Sequence, residues 1–517
     1  MIDGMIHTLE NPVRRYAWGS RVLLPEFLSL PNPGGEPWAE LWMGAHPGAP
    51  SLAEAGGGKK PLDRLIGSDP GLFLGEGTVS RFGPRLPFLF KVLAVERPLS
   101  IQCHPGPVQA REGFARENRR GLPQDAPERN YRDPHHKPEI ILAVSDFSAL
   151  RGLRPIEETA AFFTALPDPE LRSAGEALAA GRGDGALRTF LKTLLTAPPE
   201  TAARWVRRCL EGRLPGEGPS PGDGLSPAAG PAPGTVVPSG AGLPEGGIPP
   251  SGSGPFPGPR GYPGPGPGSG PGSGPGSGPG SGQGSGQGQE ARWFRRLAEE
   301  YPGDAGCFAP FYLNLVRLRP GEALALEAGE LHAYLEGLGV ELMANSDNVL
   351  RGGLTLKHRD PEELLRILDL RTGPARVLRP RRKALGGGIV EEEYPAPAEE
   401  FLLSVLRAGG PGDDPGGGVP AAGPAAPAAA PGPAAAAAAA GPAAPGPAAA
   451  DPTGDGARVP LVSEGPQILL CGGGGVEIRG RRNRVSLRRG GAVFVPAGEE
   501  VLIPPGSYVL YRARVPA

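Results

Sequence analysis

Apolar positions along the chain fall into two textures. Up to about residue 150 they come as short runs, such as Phe88–Val95 and Ile140–Val144, divided by proline and glycine. That punctuation predicts strands in an all-β block. From Pro155 the period changes. Pro155-Ile-Glu-Glu opens a helix with proline in the first turn and acids at the positive end of the dipole. Helical spacing continues over Ala186–Leu195 and Thr201–Leu210, and returns over Ala291–Tyr301 with Trp293, Phe294, Leu297 and Tyr301 on one face. The β texture resumes at Leu313–Leu318 and Ala323–Leu326, joined by the turn Arg319-Pro320-Gly321. Asp360, with Glu363 three residues on, predicts a capped helix. The tail reads as short strands at Gln467–Leu470, Val476–Ile478, Val485–Leu487, Ala492–Val495 and Tyr508–Val515.

Two stretches break this pattern: Gly/Pro/Ser repeats over about 216–289 and Pro/Ala repeats over about 409–455. They hold much of the 84 glycines and 67 prolines among 517 residues. Neither has apolar surface enough to offset the entropy of ordering its backbone. Helical texture flanks the first on both sides, so it reads as an insertion within a helical domain. The expected organisation is residues 1–154 as the first part of one β domain, 155–302 as the helical domain, 303–385 as the second part of the β domain, and 386–517 as a C-terminal β domain.

The 53 basic and 55 acidic residues nearly cancel, and no basic run suits a phosphate backbone, so no nucleic-acid partner is expected. Nothing resembles a signal peptide or a membrane span, and no obligate protein partner is evident. Cys103, Cys209, Cys307 and Cys471 form no CxxC pair and read as reduced thiols, which makes the cytoplasm the expected compartment.

An internal repeat sharpens the fold. Gly321-(five residues)-Glu327-x-Gly329-x-x-His332 and Gly490-(five residues)-Pro496-x-Gly498-x-x-Val501 share one spacing. Both resemble the second motif of cupins, whose histidine binds metal. The expected fold is therefore mainly β: two cupin-like jelly-roll barrels with an inserted α-helical domain and two low-complexity insertions. Val501 in place of histidine predicts a metal-free C-terminal barrel.

Of seven histidines, His7, His46 and His358 have no ligand-like neighbours. Gln102 and His104 flank Cys103 after an apolar run, so on a strand they share one face. Glu139 closes His135-His136-Lys137-Pro138-Glu139, and His332 comes from the distant motif. Two imidazoles, a carboxylate and an amide oxygen suit Zn²⁺ with a position left open.

These residues sit in longer blocks: Tyr16-Ala-Trp18-Gly19, Ala39-Glu-Leu-Trp-Met-Gly44, Leu86-Pro-Phe-Leu-Phe-Lys91, Leu99-Ser100-Ile-Gln102-Cys-His104-Pro105, Tyr131-Arg-Asp133-Pro-His-His136-Lys137-Pro138-Glu139, Gly303-Asp304-Ala-Gly306-Cys-Phe308, and the run from His332 to Lys357. Over roughly 11–155 and 301–368 the chain resembles the type I phosphomannose isomerases. The resemblance implies a catalytic cupin, Zn²⁺ on Gln102, His104, Glu139 and His332, and interconversion of mannose 6-phosphate with fructose 6-phosphate. It further implies an active-site arginine at Arg351 and a phosphate-contacting lysine at Lys357. His135, Gly352, Leu356 and Arg15 depart from the family pattern; Leu356 replaces a proline just before Lys357.

Such a reaction moves a proton between C1 and C2 through an enediol. It needs a base, a cation for the enediolate oxygens and a pocket for the phosphate of a small sugar phosphate. Zn²⁺ and Arg351 answer the second need, Lys357 and Ser100 the third. The base is open among Lys137, His136, Glu341 and a metal-bound water. Glu341 reads equally as a strand carboxylate paired with Arg351. Tyr334 contacts substrate or packs in the barrel wall. The competing readings are an Fe(II) oxygenase on His104, His332 and Glu139, and a non-catalytic sugar-phosphate-binding cupin.

Overall fold

The computed structural model describes residues 5–181, 183–217, 288–396, 398–409 and 458–516. The two low-complexity stretches fall almost wholly on 218–287 and 410–457, outside the described residues.

The described chain is mainly antiparallel sheet with a block of helices. The strands form two hydrogen-bonded networks of 12 and 10 strands, and neither pairing path closes into a ring. The ten-stranded network is organised by the long strand His332–Ala344. Its second half pairs with Phe88–Val95 and Glu139–Ala143, and its first half with Phe147–Leu153 and Ile101–Cys103. One strand can serve four neighbours because it is irregular: the register shifts between Tyr334 and Glu336. Gly337 sits at φ 118°, and a Cβ there would lie 2.5 Å from the Asp146 carbonyl. Only glycine fits that bend.

Strand alternation sorts the side chains. In Phe88–Val95, entirely buried, Phe88, Phe90, Val92 and Ala94 join a core shared with Ile468, Leu470 and Phe494 of the twelve-stranded network. Leu93 and Val95 face the other way, into a cluster with Ile141, Phe147 and Tyr334. Lys91 shares that second parity. Elsewhere Ile101, Cys103, Leu331 and Ala333 pack on Phe163, Leu191, Phe308 and Phe311 of the helical block. Gln102 and His332 between them turn to the opposite face.

The helices Ile156–Thr164, Gly183–Leu195, Pro199–Glu211 and Gln289–Glu300 lie where the 3.6 period predicts, and Pro361–Ile367 is capped by Asp360, whose carboxylate accepts from the Glu363 amide at 3.0 Å. The all-β expectation for the first 150 residues is corrected by Leu23–Leu28, Leu62–Ser68, Pro70–Leu74, Glu76–Phe82 and Pro107–Arg119. The first four are too short to display a helical period. Pro107–Arg119 offers few apolar positions, and Val108 is exposed. Gln467–Leu470 and Val476–Ile478, read as two strands, are one strand, Gln467–Arg479, whose register shifts between Cys471 and Gly473. The strands His7–Glu10, Leu52–Ala55 and Gly58–Pro61 pair into the C-terminal network through Ala492–Val495, so strand pairing runs across the expected boundary between residues 1–154 and 386–517. Val501 is fully buried among Val493, Val495 and Ile503. Among the described residues no helix is long and apolar enough to cross a membrane.

Pro107–Arg119 is held by polar contacts instead of an apolar stripe. Glu363 accepts hydrogen bonds from Arg116, Arg366 and the Tyr131 hydroxyl, and so ties that helix to Pro361–Ile367. Burial alone would raise its pKa, but Arg366, Tyr131 and Arg116 outweigh burial and hold it down to about 2. A carboxylate depressed in the folded state stabilises above the unfolded value and loses that contribution as pH falls through the folded one. We therefore expect thermal stability to fall between about pH 4.5 and about pH 2, and Glu363→Gln to flatten this part of the pH–melting curve in differential scanning calorimetry. An unchanged slope in the variant would remove Glu363 from the clamp.

Candidate active site

Strand Ile101–Cys103 lies between His332–Ala344 and Leu350–Gly353, with Gln102 opposite both His332 and Arg351. Directly opposed residues on neighbouring strands put their side chains on one face, so this pairing gathers three of the candidates in a row. Ser100, half-buried just ahead of the strand, keeps the same alternation. A turn completes the arrangement. Gly329, at φ 80°, donates its amide to the His104 carbonyl at 2.8 Å, and a Cβ there would lie 2.9 Å from the Ile367 carbonyl. The glycine of the repeated motif thus fastens the segment before His332 to the segment carrying His104.

His104, Glu139 and His332 are buried, and their ligand atoms all lie within 4.8 Å of one another. They are the only such group among the described residues. Glu139 Oε1 is 3.4 Å from His104 Nε2, and Oε2 is 3.5 Å from His332 Nε2. The opposite ring nitrogens are engaged by backbone: His104 Nδ1 with the Asn348 carbonyl at 2.7 Å, and His332 Nδ1 with the Glu330 carbonyl at 3.0 Å. A carbonyl oxygen only accepts, so Nδ1 carries the proton in both rings and each Nε2 presents a lone pair to the shared space. His104 Nε2 is buried without a hydrogen-bond partner, an arrangement costing about 1–3 kcal/mol unless something fills it. Burial pushes the His104 pKa down to about 4 despite Glu139, keeping the ring neutral. Burial would raise Glu139, but the Lys137 ammonium, 3.0 Å away, holds it well below the usual carboxylate range. Two imidazoles with inward-facing Nε2 atoms and an ionised carboxylate, with the His104 nitrogen left without a hydrogen-bond partner, fit a borderline divalent metal such as zinc.

Beside this triad lie two buried groups of opposite charges. Lys137 Nζ is 3.0 Å from Glu139 Oε1. Lys91 Nζ is 3.3 Å from Glu341 and 3.7 Å from Glu40, and 5.0 Å from the Trp42 ring centroid. Burial works against the Lys91 charge, but Glu40, Glu341 and Glu139 raise its pKa. Burial raises Glu341 too, with Lys91 opposing. The cation paired with Glu341 is Lys91, correcting the expected pairing with Arg351. Tyr334 packs within the strand layer and makes a polar contact there. Its ring meets Phe147 edge-on, and its hydroxyl donates to Glu341 at 2.9 Å. Seven positions apart, the two would face opposite sides of a regular strand; the register shift after Tyr334 brings them together.

A cationic group forms the third part. Burial and the neighbouring Arg132 lower the pKa of half-buried Arg351, and burial, Arg351 and Arg132 lower that of Lys357. Among the described residues none of these three cations has a carboxylate within salt-bridge distance. Leu356 is fully exposed, and the Lys357 amide is held by the Thr355 hydroxyl at 3.1 Å. His136 goes elsewhere: its Nε2 lies 2.6 Å from Glu400 Oε1.

Sequence reasoning overlooked four residues here. Lys91 and Glu40 had a signal, charges inside otherwise apolar strands. Arg132 had none beyond its neighbours. Asn348, fully buried, accepts from the Arg132 and Asp133 amides and donates to the Asp133 and His135 carbonyls. Its own carbonyl orients His104, a role no sequence pattern displays.

Comparison with known proteins agrees with this geometry. Residues 6–156 match the model of the phosphomannose isomerase type I catalytic domain. The chain is 34% identical over 402 residues to the mannose-6-phosphate isomerase of Escherichia coli, covering 77% of this chain and 82% of that one. It is 30% identical over 384 residues to the mouse enzyme, covering 72% and 75%. Among solved structures, zinc-bound mannose 6-phosphate isomerase aligns with TM-score 0.70 at 27% identity over 99% of this chain and 100% of that one. The Salmonella typhimurium enzyme, bound to fructose 6-phosphate and zinc, aligns equally well. With the buried His–Glu–His group set in a matching fold, the chain belongs to the type I mannose-6-phosphate isomerase family.

Proposed function

We propose that the protein interconverts mannose 6-phosphate and fructose 6-phosphate with one divalent metal, zinc, held by His104, Glu139 and His332 and completed by Gln102. The observation that carries this reading is the convergence of His104, Glu139 and His332 on one buried space with both Nε2 lone pairs turned inward. When bound, zinc supplies a fixed positive charge that favours negative charge on the sugar oxygens and orders the site.

The remaining work falls to side chains of this chain. Arg351, without a carboxylate partner, offers its guanidinium to the enediolate oxygens. Lys357, Ser100 and Arg132 receive the phosphate; two cations with no carboxylate at salt-bridge distance among the described residues suit a dianion. Lys137 and Glu341, both at the edge of the triad, move the proton between C1 and C2. Burial raises the proton affinity of Glu341, a condition for exchanging a proton near neutral pH. Tyr334 orients Glu341 by donating to it. His136, turned to Glu400, is supported less as the base. The four cysteines, all free and buried, are in keeping with a reducing compartment such as the cytoplasm.

A coupled assay on mannose 6-phosphate, run before and after chelation and after zinc is restored, tests the whole reading. Oxygen uptake without isomerisation would favour the Fe(II) oxygenase. His332→Ala should lose bound zinc on dialysis together with turnover. For the unsubstituted protein, free zinc at 100 times its Kd should add about 2.7 kcal/mol of stability, read as a rise in melting temperature that His332→Ala lacks. Full activity in metal-stripped protein would end the metalloenzyme assignment. Arg351→Ala should keep zinc and lower kcat about 10²–10³-fold; a normal rate would exclude it from the chemistry. Arg132→Ala and Lys357→Ala should each raise KM about tenfold or more, the effect of losing one charge-assisted contact of about 1.5–3 kcal/mol. An unaltered KM in either variant would remove that residue from the phosphate pocket.

A further inference from the structure

The segment that delivers Lys137 to the triad is held in an unusual way. His135 and Pro138 are anchored by their carbonyls, which accept from Asn348 Nδ2 at 2.8 Å and from the Ala344 amide at 3.1 Å. Between them, His136 and Lys137 form no backbone–backbone hydrogen bond among the described residues. Their side chains hold them instead, on opposite sides. Lys137 reaches inward to Glu139 at 3.0 Å, while His136 reaches outward to Glu400 at 2.6 Å. Such alternation is what an extended stretch between two prolines imposes.

Glu400 is distant in sequence. It lies just ahead of strand Leu402–Ala408, which pairs within the twelve-stranded network. Its placement has a chemical consequence for the ring it meets. A carboxylate only accepts, so His136 Nε2 carries a proton, and the orientation of the imidazole is set from outside the ten-stranded network. The second oxygen, Oε2, is buried without a donor. The charge is not isolated: Arg85, His135 and Asp133 surround the same spot, with Arg85 also donating to the Asn345 and Phe82 carbonyls. A contact serving stability alone would gain by satisfying that oxygen.

We propose that Glu400 is a positioning residue for the isomerisation, acting through His136 to hold Lys137 against Glu139. The twelve-stranded network then contributes directly to the site even though its own motif carries Val501 in the metal position. The proposal rests on the isomerase reading above. It predicts that kcat depends on Glu400 while substrate binding and metal binding do not.

The test uses the full-length zinc-loaded protein. Glu400→Ala should lower kcat about tenfold or more, with KM within about twofold and zinc content unchanged. Glu400→Asp should recover part of the loss. His136→Gln combined with Glu400→Ala should be no slower than the slower single variant, because both remove one anchor. Imidazole ¹⁵N spectra, assigned with His136→Gln, should show the His136 proton on Nε2 and show that preference lost in Glu400→Ala. If Glu400→Ala fails to fold, Glu400→Met, which fills the space without offering an oxygen acceptor, replaces it in the same measurements. Wild-type kcat with only a lower melting temperature would overturn the proposal, as would additive losses in the double variant. Were the unsubstituted protein unable to isomerise mannose 6-phosphate, the isomerase reading would fail by itself, while the ¹⁵N spectra would still report on the contact.

Discussion

The site depends on one constraint: the apolar backs of its strands are pinned to the helices. Ile101 and Cys103, Leu331 and Ala333 sink into a core with Phe163, Leu191, Phe308 and Phe311. Because side chains alternate with period two, that burial forces Gln102 and His332 onto the opposite face. A slip of one residue would turn the polar row into the helical core and expose four apolar side chains, so hydrophobic burial also sets the register of the candidate ligands. The helical block is distant from the chemistry in sequence, yet it keeps the polar face aimed.

Within the space this creates, charges are arranged against burial. Opposite charges are set side by side, Glu40 and Glu341 about Lys91 and Glu139 with Lys137. Buried ions of this kind contribute little net stability, since desolvation offsets much of the attraction. Their value lies in geometry and in the states they impose. Glu139 stays ionised, Lys91 stays protonated and Glu341 is pushed toward neutrality. The cations Arg132, Arg351 and Lys357 are the exception: among the described residues none has a carboxylate within salt-bridge distance, and burial and their mutual repulsion lower the pKa of Arg351 and Lys357. Repulsion among them is a standing cost that an anionic ligand would relieve.

Irregularities in the backbone matter as much as the regular pairing. The shift between Tyr334 and Glu336 and the bend at Gly337 let one strand serve two groups of neighbours and bring Tyr334 onto Glu341. The tight turn at Gly329 links the two histidine-bearing segments through a single amide. Substituting either glycine would place a Cβ within 3.0 Å of backbone atoms, which cannot move aside as the end of a flexible side chain can.

Much of this could be read directly from the chain. Periodicity placed several of the later strands and the helices Gly183–Leu195, Pro199–Glu211 and Gln289–Glu300, because a face that must be buried has to repeat at the spacing of its element. His104, Glu139 and His332 were legible because metal chemistry restricts residue type, and the run from His332 to Lys357 is specific enough to mark a family. The short helices before residue 120 were not legible, since five to seven residues hold too little pattern and Pro107–Arg119 is stabilised by ion pairs. Nor could pairing across hundreds of positions be read: that His136 meets Glu400, that Glu341 pairs with Lys91, or that His7–Glu10 joins a C-terminal strand. Local pattern states which side of an element is apolar and which residues have suitable chemistry. Which of them meet depends on register, bulges and packing between distant segments, and those exist only once the chain has folded.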